Sequence, residues 1–186
     1  MNKGKLVVVS GPSGCGKGTV LKEVLGSDDN IFYSVSATTR NPREGEINGV
    51  HYFFITKDEF LSEIASGGML EYAEYVGNFY GTPKRKVEEE LEKGKDVILE
   101  IETEGAKKIR KTVPEALFIF IAPPSVEELA SRLKGRGTEP EEVINKRLET
   151  AMAELALKSD YDFIVINDEV KRASEEILEI IKKSKL

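Results

Sequence analysis

An α/β fold with a central parallel sheet is predicted by three observations. KLVVVS (5–10) is a β-branched apolar run that enters a glycine-rich turn and is followed by the helical pattern TVLKEVL. Strand, glycine loop and helix in that order open an α/β unit. Three later runs, DVILEIE (96–102), ALFIFIA (116–122) and DFIVIN (162–167), are nearly continuous in apolar residues rather than alternating. Such runs suit strands covered on both faces.

The intervening helices mark their own ends. Thr56 with Glu59 forms a capping box before FLSEIA, and Gly67-Gly68 stops that helix. Thr82-Pro83 starts a charged helix that Gly94 ends, and Ser125 with Glu128 opens VEELASRL. A long helical pattern follows Glu139-Pro140, and EVKRASEEILEIIKKS closes the chain amphipathically. Residues 34–83 interrupt this rhythm with Ser, Thr, Arg, Gly and Tyr, and HYFFI within them reads as an antiparallel strand. An inserted small subdomain over the ligand-binding edge of the sheet accounts for the interruption.

The chain has 186 residues, enough for one substantial core without a second independent domain. Its net charge of −6 argues against a nucleic-acid binder, which needs a basic face. No apolar run reaches the roughly 18 residues of a membrane span. MNKGKLVVVSG contains no apolar leader segment, and a single cysteine fits a reducing compartment, so a cytoplasmic protein is expected. Positive charge is local, at Arg40 and Arg43 and again at Arg132, Lys134, Arg136, Lys146 and Arg147. Clusters of that size suit a small anionic ligand.

Gly11-Pro12-Ser13-Gly14-Cys15-Gly16-Lys17 has the spacing of a phosphate loop. Its glycines let successive backbone N–H groups turn inward, and the following helix points its positive end at the same anion. Lys17 supplies a mobile charge for the outer phosphates. Gly18 stands where such loops usually carry a hydroxyl, with Thr19 next. Mg²⁺ is then expected to rest mainly on nucleotide phosphates and water, assisted by Thr19 and by Glu100 at a strand end. Cys15, inside the loop, is expected to have its pKa lowered by the N–H groups, or to be simply a tolerated small residue.

The acceptor is read from the insertion. Arg40, Arg43 and Tyr52 lie in SVSATTRNPREGEINGVHYFF, and arginine forks match phosphate oxygens. Glu71, Tyr80 and Thr82 follow in GMLEYAEYVGNFYGTP. A carboxylate can accept both N1–H and the exocyclic N–H of guanine while hydroxyls donate to O6, and adenine offers that carboxylate much less. His51, the only histidine, reads as a half-buried strand residue rather than a base.

These segments, with LEIETEGA, FIFIAPPS, LKGRGTE and a late IND, occur in an order that resembles guanylate kinase over nearly the whole chain. The resemblance implies a P-loop NTPase-type three-layer fold with a GMP-binding subdomain (34–83), a mobile helical lid (123–150) and a core from 1–33, 84–122 and 151–186. It implies phosphoryl transfer from ATP to GMP with Mg²⁺, in purine nucleotide metabolism. Arg40, Arg43, Tyr52 and Tyr80 would hold the GMP phosphate, Ser36, Glu71 and Thr82 would read guanine, and Glu102 would lie near the acceptor. The loop residues Gly11 to Thr19 would hold ATP. Arg132, Arg136 and Arg147 would close on its phosphates, and Asn167 would lie near the adenine. Lys17, Arg40, Arg136 and Arg147 are the expected catalytic group. The family usually has aspartate at Glu102 and glutamine at Glu104, which bears on site detail rather than reaction type. A binding module of the same fold would lack the intact Lys17 loop, and a kinase of another nucleoside monophosphate would lack the Ser36, Glu71 and Thr82 set. Oligomeric state is not legible.

Overall fold

Val7, Val8 and Val9 are wholly buried, as a run that is apolar on both sides of the pleat requires. Each such side chain contributes about 1.5–3 kcal/mol by leaving water. The computed structural model describes residues 3–134 and 141–185. From the N-terminus these form β1 (Leu6–Ser10), α1 (Lys17–Ser27), β2 (Ile31–Tyr33), β3 (Ala37–Thr38), β4 (Phe53–Phe54), α2 (Lys57–Ala65), β5 (Met69–Tyr75) and β6 (Asn78–Pro83). Then come α3 (Lys84–Glu92), β7 (Asp96–Glu100), α4 (Thr103–Thr112), β8 (Leu117–Ala122), α5 (Val126–Lys134), α6 (Glu141–Ala156), β9 (Phe163–Ile166) and α7 (Val170–Lys183).

A five-stranded sheet has the order β2-β7-β1-β8-β9. β1 pairs parallel with β8, β8 with β9, and β2 with β7. The four predicted apolar runs are all strands of this sheet, although DVILEIE leaves it at Glu100. Ile101 and Glu102 instead lead into α4, where the Glu102 carbonyl accepts the Ala106 N–H at 3.0 Å. The sequence reading had no helix there.

The chain divides into two compact units, Met1–Leu6 with Asn30–Leu99 and Lys107–Ala116, and Val7–Asp29 with Glu100–Ala106 and Leu117–Leu186. In the latter, α1 packs on α7, burying Val20, Leu21 and Val24 on one and Ala173, Ile177 and Ile181 on the other. Leu129 and Leu133 of α5 meet Ala151 of α6, with Ile144, Leu148 and Leu155 around them. The Ser125 hydroxyl caps α5 by accepting the Glu128 N–H at 3.1 Å.

The former unit contains a second sheet, β4-β3-β6-β5. The Thr56–Glu59 capping box that starts α2 is complete in both directions, and α3 begins directly after Pro83. HYFFI departs from expectation. Only Phe53 and Phe54 are strand, and they pair parallel with β3, Ala37 opposite Phe53. A parallel pair needs a long connection between its strands, and residues 39–52 supply one, bringing the chain back in its original direction. His51 lies in that excursion, exposed and in a turn, its Nδ1 accepting the Ile47 N–H at 3.0 Å. β5 and β6 form a hairpin whose two turn residues, Val76 and Gly77, have φ of 49° and 74°.

Candidate functional site

Strand alternation assembles the first group of candidate residues. Thr38 lies opposite both Tyr80 and Phe54, and Ala73 lies opposite Tyr80. Side chains two residues apart share a sheet face. Ser36, Thr38, Tyr52, Phe54, Tyr80 and Thr82 are therefore on one face, and Glu71, inside a register shift of β5, joins them through its bond with Thr82. The alternate residues turn to the other, where α2 covers the sheet. A Cβ on Gly81 would stand 2.9 Å from the Phe60 ring, and Phe60 itself stacks on Phe79 at 5.5 Å.

Arg40 lies over Tyr52 and Phe54, 5.5 and 5.7 Å from the ring centroids. Its Nη1 and Nη2 each donate to a different oxygen of Glu46 at 2.9 Å, and Nη1 also donates to the Asn41 carbonyl. Glu46 further accepts the Arg43 backbone N–H at 2.6 Å. These bonds, led by that to Arg40, bring the Glu46 carboxyl down to about 2. The Tyr80 ring meets Tyr52 edge-on at 6.1 Å. The structure thus brings Arg40, Tyr52 and Tyr80 together, while the Arg43 side chain is exposed. Beside them Thr82 donates its hydroxyl to Glu71 at 2.8 Å, both residues buried. Ser36 is half-buried immediately before β3. Glu46 was missed in the sequence, since a glutamate in a charged loop gives no signal until its partner is known.

The second group of candidate residues begins where β1 ends. Gly14 and Gly16 have φ of 87° and 88°, and the left-handed Gly16 caps α1, which starts at Lys17. A Cβ on Gly11 would stand 2.2 Å from the Ile121 carbonyl. Only glycine permits these turns and approaches. Lys17 Nζ donates to the carbonyls of Gly11 and Pro12 at 2.6 and 3.3 Å. Arg147 donates to the Ser13 hydroxyl at 3.1 Å. Arg132 donates to the carbonyls of Cys15 and Asn167 at 3.3 and 3.2 Å and pairs with Glu128 at 2.9 Å. Buried Asn167 donates to the Cys15 carbonyl at 2.7 Å. Arg136 lies outside the described residues.

Cys15 corrects one expectation. The thiol is buried, and burial pushes its pKa up, outweighing the opposite pull of the Lys17 charge and backbone N–H. Glu154 of α6 was also missed. It is half-buried, and burial pushes its carboxyl up against the pull of Lys17. Gly18 and Thr19 are exposed in the first turn of α1, Glu100 is half-buried at the end of β7, and Glu102 is exposed. No cluster of three His, Cys, Asp or Glu residues exists among the described residues. One carboxylate and one hydroxyl fit Mg²⁺ carried by phosphates better than a metal caged by protein.

The sequence profile of the Guanylate kinase family matches residues 3–184. The guanylate kinase of Clostridioides difficile (strain 630) is 54% identical over 185 residues, covering 100% of this chain and 90% of that protein. The guanylate kinase of Lactiplantibacillus plantarum (strain ATCC BAA-793 / NCIMB 8826 / WCFS1) is 53% identical over 98% of this chain and 89% of its own length. The crystal structure of guanylate kinase from Anaplasma phagocytophilum superposes with a TM-score of 0.81 at 33% identity, covering 100% of this chain and 88% of that one. With a phosphate loop on one unit and an arginine, two tyrosines and a buried carboxylate on one sheet face of the other, the chain belongs to the guanylate kinase family.

Proposed function

We propose that this protein transfers the γ-phosphoryl group of ATP to GMP, reversibly giving ADP and GDP. The observation that carries the reading is the shared sheet face on which Arg40, Tyr52 and Tyr80 stand beside the Thr82–Glu71 pair. It offers donors to a phosphate and a carboxylate to a guanine edge. Identity of 54% to a curated guanylate kinase over the full chain supports the same conclusion.

Residues 11–19 hold ATP, their N–H groups and the start of α1 facing its phosphates. Lys17 leaves the carbonyls of Gly11 and Pro12 for the outer phosphates. Arg132, Arg136 and Arg147 answer the charge that spreads over the moving group. Arg40 and Arg43, with Tyr52 and Tyr80, hold the acceptor phosphate. Glu71 accepts from the guanine edge while Ser36 and Thr82 complete its recognition, and Glu102 contacts the acceptor. Thr19 and Glu100 would help to hold Mg²⁺ brought in by the nucleotide, and the metal would supply positive charge against the phosphates. In-line transfer needs donor and acceptor in contact without water, so residues 34–83 and the lid, 123–150, close before the chemical step. ATP and GMP, small anions, are the partners. Among the described residues no helix is long and apolar enough to cross a membrane. We place the protein in the cytoplasm, in purine nucleotide metabolism.

The test is ADP release from MgATP with GMP, dGMP, AMP, CMP or UMP supplied separately. Release that depends on GMP and hardly responds to AMP or the pyrimidines supports the proposal. An equal response to AMP overturns the guanine reading and leaves the phosphate loop standing. Folded protein that binds ATP and turns over no acceptor overturns the activity.

A further inference from the structure

We propose that Asn167 is a positioning residue for the phosphate loop, setting the Cys15–Gly16 peptide so that the Gly16 N–H faces the bound phosphates. This deepens, and rests on, the reading of residues 11–19 as the ATP phosphate loop.

Asn167 continues β9, its backbone N–H donating to the Ala122 carbonyl at 2.8 Å, so its side chain stands on the rigid sheet. It is 4% exposed. Its Nδ2 donates to the Cys15 carbonyl at 2.7 Å, the same carbonyl that Arg132 Nη1 reaches at 3.3 Å. Arg132 Nη2 donates back to the Asn167 carbonyl at 3.2 Å, and Glu128 holds Nε at 2.9 Å. Two donors from two elements thus converge on one loop oxygen.

The direction of that oxygen decides the direction of an N–H. In a trans peptide the C=O and the following N–H point opposite ways across one plane, and no peptide bond of the chain is cis. With the Cys15 carbonyl drawn towards Asn167 and Arg132, the Gly16 N–H is turned away from them. Gly16 is left-handed at the start of α1, a backbone conformation that lets neighbouring N–H groups form an anion-binding concavity. A Cβ on Gly16 would stand 2.5 Å from Asn167 Nδ2. The amide and the loop therefore pack in contact, and this peptide cannot rotate without moving Asn167. An asparagine that only touched the adenine would have no need of this bond.

The experiment compares calorimetric binding of Mg²⁺-tripolyphosphate, which has no base, with that of MgATP and MgGTP. It uses wild-type protein, Asn167→Asp and Asn167→Ser. Asn167→Asp places an acceptor against the Cys15 carbonyl. Should that variant not fold, Asn167→Ser, too short to reach the carbonyl, carries the same comparison. Loss of the bond is expected to weaken all three ligands by about tenfold and equally, leaving the ATP-to-GTP ratio unchanged. Unchanged tripolyphosphate binding with a selective loss of ATP overturns the inference and assigns Asn167 to the base. Wild-type protein that fails to bind tripolyphosphate overturns the loop reading and this inference with it.

Discussion

Glu46 takes Arg40 end-on, one carboxylate oxygen to each terminal nitrogen at 2.9 Å. Asn41 occupies a further donor on Nη1. Glu46 therefore fixes the guanidinium in place as well as neutralising it. Glu46→Gln keeps the shape and loses the charge-assisted pair, and GMP binding is expected to weaken by about tenfold with ATP binding unchanged. Titration calorimetry with each nucleotide checks this, and equal GMP affinity would remove Glu46 from the site.

The same pair sets a pH signature. The Glu46 carboxyl, at about 2, lies below its ordinary value of 4.5, so more protons bind to the unfolded chain. The stability it contributes is fully present above about pH 4.5 and is lost as pH falls towards 2. Urea midpoints measured from pH 6 to pH 2 should fall more steeply for wild-type protein than for Glu46→Gln. The two curves should run parallel above pH 5.

Glu71, buried and accepting from Thr82 at 2.8 Å, has the chemistry to select guanine. In Glu71→Gln an amide donor faces the guanine N–H groups. The preference for GMP over AMP in kcat/KM should drop by about a hundredfold or more, with the loss confined to GMP. Unchanged discrimination would place base recognition elsewhere.

Lys17 rests on two loop carbonyls and carries no core packing. Lys17→Ala should reduce turnover by about a thousandfold while leaving the circular dichroism spectrum and melting curve near wild type. Near-normal turnover would show that the arginines suffice.

Val76 is a β-branched residue at φ 49°, exposed at the tip of the β5–β6 hairpin. The left-handed region costs such a residue about 1–2 kcal/mol, and asparagine tolerates it. Val76→Asn should raise the melting temperature by about 2–4 °C, at about 1 kcal/mol, without changing kcat. A lower melting temperature would mean that the valine makes a contact worth more than the strain.

How much of this was legible beforehand follows from how local each signal is. β1, β7 and β8 were readable because burial on both faces leaves continuous apolar runs, as in Leu117–Ala122, whereas β9 is a strand at the sheet edge with only Val165 buried and short β2 left no such run. The phosphate loop was readable because its glycines and Lys17 lie within a few residues of one another. The β5–β6 hairpin was hidden by a valine where asparagine or glycine is the usual mark. The parallel course of β4 depends on a loop closed by Arg40 and Glu46, a pairing that composition does not disclose. The bond from Asn167 to Cys15 spans 152 residues of chain, and Glu154 comes under the charge of Lys17 only once α6 is in place. The arginine cluster near residue 40 was visible, but not that Arg40 turns inward while the Arg43 side chain stays in solvent.

The alternation of β3, β4 and β6 separates two kinds of inheritable change. Substitutions at positions such as 36, 80 and 82 alter what the small sheet can hold, and substitutions at 37, 53 and 81 alter how it is built. The two sets can drift or be selected almost independently. Length changes cannot: one residue added within a strand exchanges the faces, hiding the ligand chemistry and exposing the packing surface. Such a subdomain accepts new side chains readily and accepts new residues only at its turns, where the Val76–Gly77 tip is the natural point of insertion.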